Sequence, residues 1–329
     1  LQDAILAIWT PDTLRERERL QREVIELADD LDDPRLKAIA GDKAMMMGAE
    51  AGDRTQVELN LAARREVAAS VPDPSLSWTL AWFESGWAHA QGELETAERL
   101  AVAAHQVATA SGQPDAALIF GALLAQVRFA QGRLAELVEP SLRLADAKYR
   151  RSPWRAAAAL ALTESAREDE ARERAFAEDL QSVPLDQVWL GAMLIWAEVC
   201  SRLRLPDRAG ELYELVAPFS GQVVQAGFIV YGSSDWALGT LAATLERYEQ
   251  AEGHFAAAAE IEERLGAPLF LARTHAGWAR TLIARGQPED VDRARQMLEQ
   301  AEDVARRLGG GLVTREVAEC RTALGAINS

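Results

Sequence analysis

Apolar residues recur along this chain at the spacing of helix faces, and turn residues interrupt them at regular intervals. The clearest unit spans residues 235–265. Its apolar positions lie three and four residues apart in each half: Leu238, Leu241 and Leu245, then Ala251, Phe255 and Ala258. This period predicts two amphipathic helices joined by the segment 246–249. Such a helical hairpin must stack on similar units to bury its apolar faces.

Similar small or apolar positions recur at intervals of 34 to 43 residues: Val57, Ala97, Leu137, Ala171, Ala209, Ala251 and Ala294. Gly52, Gly92, Gly132 and Gly286 precede four of them, where a left-handed residue would end one helix and let the chain reverse. The pattern predicts an all-α fold, an α-solenoid of about seven hairpins. We expect one domain over residues 1–329, with a leading helix over 12–31 and a C-terminal capping helix over 313–327.

One segment departs from the helical pattern. Residues 222–231 read QVVQAGFIVY, which is rich in β-branched side chains and flanked by Gly221 and Gly232. We interpret it as an irregular loop between repeats or as a distorted helix start.

The residues Leu238, Gly239, Ala251, Phe255 and Ala258 have the spacing of the tetratricopeptide signature, and the chain resembles that repeat family. Its second-helix part recurs at Ala97, Ala101 and Ala104, and again at Ala294, Leu298 and Ala301. The resemblance implies a right-handed superhelix of tetratricopeptide-like hairpins. It also implies a concave face lined by the first helix of each hairpin.

A second resemblance covers more of the chain. Residues 209–286 resemble the C-terminal helical-repeat region of large bacterial STAND-type ATPase regulators, as do segments 27–33, 81–104 and 120–137. In those regulators the repeats are joined to LuxR-type DNA-binding or adenylate/guanylate cyclase domains. The resemblance implies a non-catalytic sensing or docking arm in signal transduction or transcription regulation. We therefore expect a fragment of a larger cytoplasmic regulator.

The charge balance limits the classes of partner that the chain can bind. The chain has 35 Lys+Arg against 51 Asp+Glu, a formal net charge of −16. This excess of acid argues against nucleic-acid binding, which requires clustered positive charge. The longest apolar runs, 116–125 and 188–197, are too short to cross a bilayer. Two cysteines cannot build a disulfide framework.

Motifs that carry chemistry are missing from the sequence. No glycine-rich loop precedes any of the three lysines, so a P-loop is excluded, and no dinucleotide-binding motif is present. The four histidines lack the spacing of metal ligands, and Cys200 lies in an apolar helix, as a core residue does. We therefore expect no enzyme activity, no cofactor and no metal site.

The tetratricopeptide register gives candidate residues for a ligand or partner groove on the concave face: Asp42, Met46, Trp82, His89, Gln126, Phe129, Glu198, Arg202, Trp236, Arg273 and Arg280. Aromatic side chains with a few convergent polar groups suit such a groove. The alternative is that Trp82 and Trp236 only fill space between helices. The expected partner is a protein or peptide, including the regulator's own ATPase module, or a small effector. The acidic composition favours a basic partner.

The sequence is also compatible with a different class of function. The repeats could serve as a structural oligomerisation module, because terminal repeats need polar caps to stay monomeric. The apolar segment LQDAILAIWT at residues 1–10 is a candidate edge for a homo-oligomer.

Overall fold

A computed structural model describes residues 2–71, 73–146, 152–227 and 229–327. Its α-helices are α1 Gln2–Ala7, α2 Leu14–Leu31, α3 Pro34–Glu50, α4 Arg54–Ser70, α5 Pro74–Ala90, α6 Leu94–Ala110, α7 Ala116–Ala130, α8 Val138–Asp146, α9 Ser152–Glu164, α10 Glu168–Ala177, α11 Trp189–Arg202, α12 Pro206–Val216, α13 Ser234–Thr244, α14 Tyr248–Leu265, α15 Pro268–Arg285, α16 Asp290–Leu308 and α17 Gly311–Ile327. Short 3-10 turns cover Pro11–Thr13, Leu134–Leu137, Leu180–Ser182 and Ala217–Phe219. Two strands, β1 Val223–Ala226 and β2 Ile229–Ser233, complete the described elements.

The helices follow one another in pairs from α3–α4 to α15–α16, which confirms the all-α helical-repeat solenoid. Six of the pairs pack directly, whereas α7 packs on the 3-10 turn Leu134–Leu137 that leads into α8. Six of the recurring positions are fully buried, in the second helix of their hairpins: Val57, Ala97, Ala171, Ala209, Ala251 and Ala294. Small side chains at these positions let paired helices approach closely. The leading helix α2 and the final helix α17 flank the seven hairpins, and α17 begins at Gly311. The right-handed superhelix stays a prediction from the resemblance.

The turns between paired helices use the left-handed backbone conformation. Gly52, Gly92 and Gly132 have φ angles of 70°, 80° and 71°, as the sequence predicts. In the α11–α12 and α13–α14 turns the same conformation falls on Arg204 (φ 51°) and Glu246 (φ 58°). A Cβ atom makes this conformation unfavourable, so these two turns carry backbone strain that the glycine turns avoid.

The interpretation of residues 222–231 as a loop or distorted helix start is wrong. Residues 223–226 and 229–233 pair as an antiparallel β-hairpin, with a bulge after Val224. Val223, Val224, Ile229 and Val230 are each at most 5% exposed. Because both faces of the hairpin are buried, its side chains do not alternate between apolar and polar, and the usual strand pattern is missing.

The β-hairpin lies between the first and second halves of the array. Ile229 packs in a cluster with Trp82 of α5 and Leu123 of α7. Its neighbour Val230 packs in a different cluster, with Ala90 of α5 and Ile261 of α14. The two faces of β2 therefore join helices that are more than a hundred residues apart in the sequence.

The C-terminal helix makes a second long-range contact. A Cβ added to Gly311, at the start of α17, would overlap the carbonyl oxygen of Gln131 in the α7–α8 turn. Farther along α17, Arg315 forms an ion pair of 2.7 Å with Glu164 at the end of α9. Repeats in a simple solenoid contact only their neighbours. This chain instead places its last helix against its third and fourth hairpins.

A buried carboxyl beside the β-hairpin gives the fold a pH dependence. Glu262 of α14 is 1% exposed and accepts hydrogen bonds from the Thr274 hydroxyl (2.7 Å) and the Ser233 amide (3.4 Å). Burial raises the pKa of Glu262 to about 7; the two hydrogen bonds and Arg273 oppose this shift, and the charge of Asp235 adds to it. Between the ordinary pKa of 4.5 and about 7, the folded state holds a proton that the unfolded state has lost. Stability therefore falls as pH rises through this window.

We expect Glu262→Gln to remove that dependence, because the amide stays neutral. Relative to the wild type, the variant should be stabilised at pH 8 by an amount on the order of 1–3 kcal/mol, and much less at pH 5. Denaturant unfolding at both pH values measures the difference. Glu263→Gln, at the next and exposed position, is the matched control. An equal effect of Glu262→Gln at both pH values would contradict the assignment.

Candidate functional site

Six of the predicted groove residues line one interior cavity of about 50 Å³. They are His89, Gln126, Phe129, Glu198, Trp236 and Arg273. We call the side chains around this cavity the interior junction; the others are Ala130, Leu160, Leu194, Ile195, Tyr231, Leu269, Phe270, Leu312 and Val313. The junction draws on α5, α7, α9, α11, α13, α15, α17 and β2. The first helices of six hairpins thus meet at one place.

Arg273 is the central cation of the junction. Its guanidinium lies 4.0 Å from the ring centroid of Trp236 and 4.9 Å from that of Phe129. It also pairs with the Glu198 carboxylate. Cation–π contacts are strongest when water is excluded, and Arg273 is only 9% exposed. The three partners therefore fix the guanidinium of α15 against α7, α11 and α13.

A second arginine joins three buried carboxylates beside the junction. Arg202 of α11 pairs with Glu164 of α9 at 2.9 Å, with Glu316 of α17 at 3.0 Å and with Glu198 of its own helix. The side chains of these glutamates are at most 6% exposed. Burial disfavours ionised Glu198, but Arg273 and Arg202 outweigh it and hold its pKa at about 2.

The charges in this network balance. Arg315 completes it by pairing with Glu164 at 2.7 Å, so three arginines face three glutamates. A basic peptide would require an excess of negative charge on this face. The network has no excess negative charge. The acidic excess of the composition therefore does not lie at the junction.

Three polar atoms at the junction have no hydrogen-bond partner among the described residues: Nδ1 of His89, and Nε and Nη2 of Arg273. Both guanidinium atoms form ion pairs instead, Nη2 with Glu198 and Nε with Glu316 at 3.8 Å. The ring of His89 is hydrogen-bonded to the Gln126 backbone and packs edge-on against Phe270, with centroids 5.7 Å apart. Burial lowers the pKa of His89 to about 4, so the imidazole is neutral at pH 7. The junction thus offers unused hydrogen-bonding capacity beside a fixed cation.

A second, larger cavity of about 550 Å³ opens elsewhere. We call it the outer cleft; it lies between the α11–α12 turn, the α13–α14 turn and α15. Its lining is Ser201, Arg204, Pro206, Thr240, Ala243, Thr244, Leu245, Glu246, Tyr248, Phe255, Gly277, Arg280, Thr281 and Ala284. None of these residues belongs to the interior junction.

The remaining predicted groove residues lie away from the interior cavity. Arg280 lines the outer cleft, and Arg202 lies beside the junction in the ion-pair network. Asp42 pairs with Arg64 at 3.4 Å, and burial raises its pKa to about 6. Met46 packs in the core beneath α2. Trp82 packs in an apolar cluster with α6, so for this residue the space-filling alternative describes what the structure shows.

Sequence reasoning missed four contributors to this region: Glu164, Tyr231, Phe270 and Glu316. Tyr231 belongs to the β-hairpin and Glu316 to α17, and the repeat register includes neither element. Glu164 ends the segment AAAALALTE. An isolated acid at the end of a helix of small apolar side chains is a signal that could have identified it.

Away from the junction, His254 and its hydrogen-bond partners Asp235 and Tyr213 form a relay with the geometry of an acid–base catalytic group. His254 bonds through Nδ1 to Asp235 (2.8 Å) and through Nε2 to the Tyr213 hydroxyl (2.9 Å). None of the three lines the junction or the outer cleft. Asp235 also accepts from Ser220 (2.8 Å) and the Gly221 amide (2.6 Å). The relay therefore connects α12, α13 and α14 to the base of the β-hairpin.

In the described ranges, no group of three or more His, Cys, Asp and Glu side chains is placed to hold a metal ion. Nor does any helix of these ranges combine the length and the apolar character needed to cross a lipid bilayer. Comparison with known proteins found no family model that matches the chain and no curated protein with a significant match.

Proposed function

We propose that this chain is a non-catalytic repeat domain that senses a small effector or binds a protein partner on its interior face. Its place would be in a bacterial cytoplasmic regulator of signalling or transcription, next to an ATPase module. The interior junction carries the proposal, because six first helices bring aromatic, cationic and hydrogen-bonding side chains to a single cavity.

The size of the cavity favours a small effector over a peptide. A volume of about 50 Å³ holds a group of only a few atoms. A carbonyl or carboxylate would suit it, since Nε of Arg273 has no hydrogen-bond acceptor among the described residues. The rest of such a ligand would displace Phe270 or Tyr231 from their present packing.

Binding at this point would act on the whole array. The junction connects six hairpins and α17, so an occupant would favour one packing of these elements over another. The population shifts only if the ligand binds the two packings with different affinity. In the proposed regulator, that shift would bias the neighbouring ATPase between resting and active states.

A thermal-shift screen of small carboxylates and carbonyl compounds tests the proposal. A ligand at a hundred times its Kd stabilises the native state by about 2.7 kcal/mol, and this gain should be lost in His89→Leu. His105→Leu is the matched control, because His105 stacks on Phe120 and does not line the cavity. A ligand whose stabilisation is equal in both variants does not bind at the junction. A broad panel without any stabilising compound would contradict effector sensing.

One observation favours the alternative, an oligomerisation module. Four aliphatic side chains are exposed around the α2–α3 turn: Leu27 (50%), Leu31 (65%), Leu36 (41%) and Ile39 (39%). In the apolar leading segment, Ile5 and Trp9 are buried in the core, whereas Leu6 is 42% exposed. Light scattering separates the two functions. A dimer that Leu31→Gln dissociates, and that Leu59→Gln on α4 leaves intact, would support the oligomerisation module.

A further inference from the structure

The floor of the outer cleft is apolar and rigid. Phe255 of α14 is 1% exposed and lies between two glycines of neighbouring helices. A Cβ at Gly239 would come within 3.0 Å of its ring, and one at Gly277 within 3.2 Å. The ring therefore has little freedom to move and underlies the cleft, whose accessible apolar surface comes from the half-buried side chain of Leu245. Tyr248 adds a second aromatic side chain.

Two arginines on the rim of the cleft have no ion-pair partner. Arg204 and Arg280 are exposed, and neither forms a salt bridge with any residue in the described part of the chain. Arg202 and Arg273, on the same helical segments, are by contrast held in the buried network. The cleft therefore brings together two arginines that no ion pair neutralises. They favour an anionic occupant.

A buried hydroxyl inside the cleft also lacks a partner. Thr240 is 2% exposed and lines the cleft, yet its Oγ1 forms no hydrogen bond with a described residue. The nearby Thr244 and Thr281 hydroxyls instead bond to backbone carbonyls one helical turn earlier, at 2.9 Å each. A buried polar group without a partner is unfavourable unless something else satisfies it. A ligand atom in the cleft can do so.

The backbone at the rim is left-handed at two residues that carry side chains, as it also is at Ala166 in the α9–α10 turn. Arg204 and Glu246 adopt the left-handed conformation that glycine occupies in the α3–α4, α5–α6 and α7–α8 turns. Glycine would relax both turns. The two turns that border the cleft thus retain charged side chains at a cost to the backbone.

We propose that the outer cleft binds a small organic anion that carries one negative group on an apolar body. The apolar body packs on Leu245 and Tyr248, the anionic group lies between Arg204 and Arg280, and Thr240 completes its hydrogen bonds. Glu246, which also lines the cleft, disfavours a second negative group. This site shares no residue with the interior junction, so a test of one proposal does not decide the other.

Phenyl phosphate and phenylacetate, titrated against the whole chain by saturation-transfer NMR, are suitable probes. We expect both to bind, and we expect benzyl alcohol, the neutral counterpart, to bind about tenfold more weakly. Inorganic phosphate should also bind weakly, since it lacks the apolar body. No binding of either aromatic anion, or equal binding of benzyl alcohol, would overturn the proposal.

Four variants locate the site. Arg204→Gln and Arg280→Gln should each weaken phenylacetate binding about fivefold, whereas Glu246→Gln should strengthen it. Arg295→Gln, on the exposed surface of α16, should have no effect. Unchanged binding in both Arg204→Gln and Arg280→Gln would place the probe elsewhere and overturn the proposal.

The variants Thr240→Val and Arg204→Gly distinguish a binding role of these residues from a purely structural one, because stability and affinity should change in opposite directions. Each should raise the melting temperature, because one removes an unpaired buried hydroxyl and the other relaxes a left-handed residue. Each should also weaken probe binding. A variant that gains stability and keeps full affinity would remove its residue from the site.

Discussion

Replacing Arg202 with methionine should lower the free energy of unfolding by about 3–5 kcal/mol. Methionine keeps most of the packing volume of the arginine but leaves Glu164, Glu198 and Glu316 with two cations in place of three. Their side chains are nearly inaccessible to water, so the lost interaction is not replaced by hydration. Urea unfolding at pH 7 measures the loss.

Two further variants separate charge from packing. Arg295→Met breaks an exposed pair with Asp292 on one helical turn of α16 and should leave stability unchanged. The double variant Arg202→Met with Glu198→Leu removes one charge of each sign and should recover part of the loss. If Arg202→Met costs no more than Arg295→Met, the buried network does not stabilise the fold.

Substituting alanine for Gly311 should destabilise the chain by about 2–3 kcal/mol. The new methyl group would overlap the Gln131 carbonyl oxygen in the α7–α8 turn. Because the obstacle is backbone, neither segment can yield by rotating a side chain, and α17 must move away from α7. Thermal and urea unfolding both report the change.

Gly325→Ala supplies the matched control in the same helix. A Cβ at Gly325 meets no atom within 4 Å, and alanine is the better helix former. This variant should gain up to about 1 kcal/mol, the opposite sign to Gly311→Ala. Equal effects from the two substitutions would mean that the contact with Gln131 is not important for stability.

The repeats were predictable because their signals are local. The spacing of Ala251, Phe255 and Ala258 marks one helix face, and glycines such as Gly52 end the helices in the expected left-handed conformation. The tetratricopeptide register predicts one face for His89, Phe129 and Trp236, since stacked first helices project equivalent positions to the same side, and these three residues line one cavity.

The rest depends on segments that meet only in the folded chain. Glu316 reaches Arg202 from more than a hundred residues away, and no pattern near either residue announces the pair. Met46 packs in a core cluster with Ile5 and Trp9, because α1 and α2 cover α3, and the repeat register does not include these two helices. The β-hairpin was missed for a related reason: both of its faces are covered by distant helices.

The central claim is that long-range contacts close the array around the interior junction, so that distant hairpins behave as one unit. Hydrogen–deuterium exchange on Gly311→Ala tests it most directly, with Gly325→Ala as the control. We expect Gly311→Ala to speed exchange in α5, α7 and the β-hairpin as well as in α15 and α17, while Gly325→Ala leaves these segments protected. Faster exchange confined to α15–α17 would contradict the claim and describe a solenoid whose repeats depend only on their neighbours.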